Sequence, residues 1–252
     1  MNTFFFGSSD RPLLGVYHPP IGRTSLGHGV VLCYPMGQEY MRCHRAFRQL
    51  GNLLARKGFH VFRFDYFATG DSAGEGEEAS LTEWLANVGQ AIEELKDNAG
   101  IDSVSIVGLR LGAALAMIAG AARDDVSRIV LWDPIVRGRR YVDELQTIAG
   151  RSGHGTIGVL GFPVSEPLRE EIAKIDLGTV ARTGRAHLSS FVSREEPDHS
   201  EWVSQLAARG IPVARHCIPS SGNWNEVDNF GSALLPQELI QAIVAHLSEE
   251  QS

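Results

Sequence analysis

The chain alternates two kinds of apolar pattern. Short, nearly unbroken apolar runs are separated by longer segments in which apolar residues recur every three or four positions. Unbroken runs of four to eight residues predict strands buried on both faces, and the 3.6-residue period predicts amphipathic helices. "HGVVLCYP" reads as a strand, "MGQEY" as a glycine loop and "RAFRQLGNLLARKG" as a helix stopped at Gly58. "FHVFRFDY" is then a strand, "FATGDSAGEGEEAS" a turn-rich loop and "LTEWLANVGQAIEELKDNAG" a helix ending at Gly100. "VSIVG", "AALAMIAGAARD" and "SRIVLWDP" continue as strand, helix, strand. This rhythm predicts an α/β fold with a mostly parallel sheet and helices on both faces.

Two segments depart from it. "TFFFGSSDRPLLGVYHPP" predicts an antiparallel hairpin at the N-terminal sheet edge, closed by Pro19-Pro20, with alternate members of Phe4, Phe5 and Phe6 turned inward. Residues 136–185 carry the glycine-rich "AGRSGHGTIGVLGFP" and the amphipathic "EPLREEIAKIDL", and so long an insertion is expected to cap one edge of the sheet. The rhythm resumes with strand "AHLSSFVSREEPD", helix "SEWVSQLAARG", strand "IPVARHCIP", loop "SSGNWNEVDNFGSALLP" and helix "QELIQAIVAHLSEE". The expectation is one structural domain, with core at 1–135 and 186–252 and a cap at 136–185.

Composition narrows the classes of partner. At 252 residues, 43% hydrophobic and 21% charged, the chain is sized for one soluble globular domain. Lys+Arg 23 against Asp+Glu 30 gives a net charge of -7, so nucleic acid is not an expected partner. Cys33, Cys43 and Cys217 are too few and scattered for a disulfide framework or a paired zinc site, and no metal or cofactor is expected. No apolar run is long enough to span a membrane and the N-terminus lacks a basic leader, so a cytoplasmic location is expected.

The candidate chemistry centres on Gly108-Leu109-Arg110-Leu111-Gly112, which has G-x-S-x-G nucleophile-elbow spacing with arginine at the serine position. With the hairpin, the alternating elements and the insertion, the chain resembles the α/β-hydrolase superfamily over nearly its full length. "YPMGQEYMRCHRAFRQLGNLLARKGFHVFRFDYFATGDSAG", "GLRLGAALA" and "LWDPIVRGRRYVDEL" are similar to serine-aminopeptidase-like hydrolases found beside exopolysaccharide, exosortase and natural-product biosynthesis systems. The resemblance implies an elbow serine, a later acid, a still later histidine, and an oxyanion hole built from backbone amides.

Placed on this chain, the serine becomes Arg110, which stays protonated and can neither attack a carbonyl nor accept a proton. The acid falls on Asp198 in "REEPDHS", beside Glu195 and Glu196, with Asp133 in "LWDP" as a second option; Asp198 can equally cap a helix starting near Glu201. The histidine becomes Asn223, which cannot shuttle a proton, and His216 within its strand is a remote substitute. Amides of Met36 or Gly37 with that of Leu111 would form the oxyanion hole, unless Pro35-Met36-Gly37 is only a turn. Asp65, Thr69, Asp71 and Ser72 read as turn-shaping residues.

Two altered catalytic positions point to a hydrolase-fold protein without serine catalysis, whose Arg110 binds a small acidic or acyl ligand or is neutralised by Asp198, Asp133, Glu39 or Glu226. The alternative is an ester, thioester or acyl hydrolase using Cys33, Ser72 or a water activated by Asp198. A structural partner, such as a homodimer joined through the cap or edge hairpin, is the third class.

Overall fold

The computed structural model describes residues 1–22, 25–151, 157–159, 161–181, 184–220, 224 and 235–249. β1 (Asn2–Phe6) and β2 (Leu13–His18) form the expected hairpin, with Asn2 opposite Tyr17. Phe4 and Phe6 pack on Phe62 while Phe5 points outward. β3 (Gly29–Cys33) leads into α1 (Gly37–Arg56), and β4 (His60–Phe64) into α2 (Leu81–Ala99). The α2 helix is capped by the Ser80 side chain and ended by Gly100 at φ 63°. β5 (Val104–Leu109), α3 (Leu111–Gly120) and β6 (Val126–Trp132) follow.

Between β6 and the next core strand lie α4 (Gly138–Ile148), a small antiparallel sheet of β7 (Gly150–Arg151), β8 (Ile157–Val159) and β9 (Phe162–Val164), and α5 (Glu166–Ala173). The core then closes with β10 (His187–Val192), α6 (Pro197–Ala208), β11 (Val213–Cys217) and α7 (Gln237–Glu249). The eight-stranded sheet has the order β1-β2-β4-β3-β5-β6-β10-β11 and is parallel from β4 onward. All side chains of β3 and β5 are buried, which explains their unbroken apolar sequences.

That order fixes where a site can form. From β3 the chain goes to β4 on one side and later to β5 on the other, so a crevice opens between the C-terminal ends of β3 and β5. The segment between β6 and β10 is tied to this end of the sheet. Glu171 on α5 accepts the Leu81 amide at 2.6 Å, and a Cβ on Gly37 would lie 3.7 Å from Phe162.

Two helix starts differ from expectation. Met36 is extended (φ -105°, ψ 164°) and Gly37 takes φ 58°, so the chain reverses within two residues and "MGQEY" becomes the first turn of α1 rather than a loop. Likewise α6 opens at Pro197, whose fixed φ suits the first helical position, so Asp198 sits inside the first turn instead of capping a helix near Glu201. No helix among the described residues is long and apolar enough to cross a membrane. No group of three or more His, Cys, Asp or Glu among them is placed to hold a metal.

Candidate functional site

The elbow is present as backbone geometry. Arg110 has φ 55° and ψ -118°, a conformation that costs a residue bearing a side chain on the order of 1–3 kcal/mol. It is held by its amide on Trp132 O at 2.9 Å and by its carbonyl, which accepts from Ala113 N and Ile135 N at 3.1 and 3.3 Å. Both flanking glycines are required by contact. A Cβ on Gly108 would lie 2.2 Å from Gly112 O, and one on Gly112 would lie 2.2 Å from Cys33 O.

The Arg110 head reaches the first turn of α1, which follows β3, and the α4 helix, which follows β6. Its Nε donates to Glu39 Oε1 at 2.9 Å, and an Nη lies 3.6 Å from Glu144 Oε2. The hydroxyl of Tyr141 donates to Glu39 Oε2 at 3.1 Å, and its ring lies 5.6 Å from the guanidinium carbon. Glu39 is 1% exposed, so this is a buried ion pair with both carboxylate oxygens engaged. Burial pulls the guanidinium pKa down, but the Glu39 charge and the Tyr141 phenol outweigh it and hold the group above its ordinary range. Burial and the same carboxylate push the Tyr141 phenol well up, keeping it a donor. Of the four expected counter-ions the structure therefore brings Glu39 to Arg110; Glu226 lies outside the described residues.

Asp133, at the end of β6 with φ 41°, gathers the neighbouring strand ends. One oxygen accepts from Ser193 N at 2.6 Å and Ser193 Oγ at 3.0 Å; the other accepts from Trp224 Nε1 at 3.0 Å. Asp198 instead binds Arg140 at 2.9 Å on the rim, and no ion pair among the described residues joins it to Arg110. Glu196 stands at the N-cap position of α6 without a side-chain capping bond and pairs with Arg194 and Arg140, and Glu195 pairs with Arg215. Asn223 lies outside the described residues. The Met36, Gly37 and Leu111 amides stand at the starts of α1 and α3 and donate to no described residue, as a helix N-terminus leaves them.

The other sequence candidates are engaged elsewhere. His216 stacks on Phe191 at 4.3 Å within the sheet. Burial pushes the Cys33 thiol up to about 12. Ser72 Oγ donates to Asp65 O at 2.7 Å and accepts from Leu14 N at 2.9 Å. Asp65 accepts the Asp71 amide at 3.1 Å and Thr69 bonds Tyr66 O, so these residues shape the turn after β4.

Two small cavities, of about 50 and 40 Å³, flank Arg110. The first is also lined by Asp133, Ser193 and Trp224, the second by Tyr141, Glu144 and Asp198, and both reach Glu196 and His199. His199, read over in the sequence, is 4% exposed. Its Nε2 meets Ser190 Oγ at 2.7 Å, while its buried Nδ1 has no hydrogen-bond partner among the described residues. Burial lowers its pKa against the opposing charges of Asp133 and Glu196, so the ring is neutral at pH 7. The signal was the Pro197 start with inward residues at 199, 202 and 206, one helical face.

Comparisons with known proteins agree with this architecture. Structures similar to this chain include Est1E from Butyrivibrio proteoclasticus with bound ferulic acid, at 12% identity and TM-score 0.74, covering 98% of this chain and 97% of that one. Mouse alpha/beta hydrolase domain-containing protein 10 follows at 14% identity and TM-score 0.61, with 99% and 98% covered. The bottromycin epimerase BotH, solved with bottromycin A2, has 17% identity and TM-score 0.60 over 100% of both chains. At these identities the likeness is one of fold. No curated protein sequence gives a significant match. The family model described as serine aminopeptidase, S33, matches residues 30–158, just over half of the chain and including the whole elbow. The chain thus belongs to the serine aminopeptidase S33 family of α/β hydrolases.

Proposed function

We propose that this chain works as a pocket protein of the hydrolase fold that forms no acyl-serine intermediate and binds a small acyl or acidic ligand beside Arg110. The observation that carries this reading is the Arg110–Glu39 ion pair, which occupies the elbow and the crevice where a nucleophilic serine and the substrate carbonyl would meet. A guanidinium has no lone pair to give at working pH. The raised Cys33 pKa and the doubly engaged Ser72 hydroxyl count against a relocated nucleophile. The ligand oxygen would meet the part of the Arg110 fork left free by Glu39 and the Gly37 and Leu111 amides, under a cap formed by residues 136–185. BotH, described as an epimerase, is a reminder that this fold is not committed to hydrolysis.

A second reading rests on His199. The neutral His199 ring lines both cavities, and its unpartnered Nδ1, closed off from solvent as the site stands, would activate a water without any covalent step only once a ligand opens that nitrogen. One experiment separates the possibilities. Incubation with a fluorophosphonate and a panel of activated esters is expected to give neither serine labelling nor a burst. Labelling at any serine overturns the proposal, and unlabelled, steady hydrolysis abolished by His199→Gln establishes the second reading instead.

A further inference from the structure

A second buried arginine lies beneath the middle of α1. Arg63, on β4 and 4% exposed, meets only neutral groups: Nε donates to His18 Nε2 at 3.0 Å, one Nη to Tyr34 Oη at 2.7 Å, and the other approaches Met1 Sδ at 4.0 Å. It forms no ion pair with any described residue. Asp65, whose charge reaches Tyr34 and His44, is taken by the Tyr40 hydroxyl at 2.8 Å and the Asp71 amide. Because a guanidinium only donates, His18 Nε2 must accept. His18 Nδ1 then carries the proton and donates to Asn52 Oδ1 at 3.1 Å, leaving the Asn52 NH₂ free to donate on α1.

Above this relay, Arg45, Arg48, Asn52 and Arg56 recur at i, i+3, i+7 and i+11, one stripe of the helix. With Gln49 and Leu53 they line an open groove of about 430 Å³ that contains no carboxylate. Arg45, Arg48 and Arg56 are exposed and form no ion pair with described residues, whereas Arg11, Arg123, Arg137, Arg140, Arg194 and Arg215 all meet an acid. In a chain with seven more acids than bases, three exposed arginines stand over a fourth, buried one, and none of the four is in direct contact with a carboxylate among the described residues, which leaves the groove itself positive.

We propose that this groove binds a small ligand bearing a diphosphate group. Guanidinium forks match phosphate oxygens two at a time, the Asn52 NH₂ adds a neutral donor, and the volume is that of a small-molecule site, roughly 300–1,000 Å³. The groove is lined by residues other than those around Arg110, so it stands whether or not the Arg110 pocket reading holds.

Calorimetric titration of the whole chain with inorganic pyrophosphate tests it. Saturable one-to-one binding is expected, weakened about tenfold or more by Arg48→Gln and by Arg45→Gln, and changed less than about twofold by Lys174→Gln, the same loss of charge on the far segment. All the replaced side chains are exposed, and circular dichroism of each variant checks that the fold is kept. Absence of saturable binding, an equal effect of Lys174→Gln, or binding only to vesicles of anionic lipid overturns the proposal.

Discussion

Helix α1 serves two buried arginines in opposite ways. Its first turn gives Glu39 to Arg110, engaging the guanidinium through Nε in an ion pair whose carboxylate is hydrogen-bonded on both oxygens. Its middle gives Arg63 no acid at all and adds Arg45, Arg48 and Arg56 above it. The histidines beside each arginine register the same contrast. His199 is depressed by burial but opposed by the charges of Asp133 and Glu196, whereas every charge acting on His18 is positive, and burial, then Arg63, the N-terminal amine and Arg48 lower it to about 4 against only the Asn52 hydrogen bond. A buried cation that has its counter-ion within the chain fills a site, and one that lacks it leaves a field for something else to neutralise.

The largest break in this comparison is Glu39→Gln, which makes Arg110 resemble Arg63. Removing one partner of a buried pair strands the other charge, and a loss of about 3–5 kcal/mol in urea denaturation is expected, moderated only by Glu144 at 3.6 Å. Adding Arg110→Met to Glu39→Gln should recover much of that loss, because the stranded charge is then gone. If the single change costs less than about 1 kcal/mol, Arg110 is neutralised by something other than Glu39.

Why this pair was not singled out in the sequence is instructive. Strand runs, helix periods and the elbow glycines are local signals, and from them the sheet, the edge hairpin and the backbone at Arg110 were legible. Glu39 was legible only as one of four acids, because "MGQEY" reads as a glycine loop and its inward direction depends on α1 starting at Gly37. His199 was hidden in the same way by the Pro197 start of α6. Both residues owe their place to a helix that begins earlier than its periodic run, α1 by eight residues and α6 by three, so positions read as loop acquire a helical direction.

pH sharpens the contrast at intermediate cost. The folded pKa of His18 is about 4 against 6.5 unfolded, so below pH 6.5 the unfolded chain binds the proton that the folded chain refuses. The stabilising contribution is therefore full above pH 6.5 and falls by about 1.4 kcal/mol per pH unit toward pH 4, with His28, also near 4 through burial and Arg128, adding a similar slope. Denaturation at several pH values reads the slope, and ring resonances assign it. A His18 ring titrating near its ordinary value would mean that burial and the Arg63 field do not act on it.

The smallest expected effect falls on Asp198, the acid that resemblance points to most directly. Its side chain is 33% exposed and its Arg140 partner 49% exposed, so water screens the pair, and Asp198→Ala should cost less than about 1 kcal/mol. A triad acid would behave differently, because its loss would alter the buried groups it orients. Asp133 holds such groups here, binding Ser193 at the end of β10 and the indole of Trp224, so Asp133→Asn should cost more than Asp198→Ala in the same denaturation assay. The reverse order would mean that the rim pair, not the strand-end carboxylate, organises the floor beside Arg110, and the two acids would have to exchange roles.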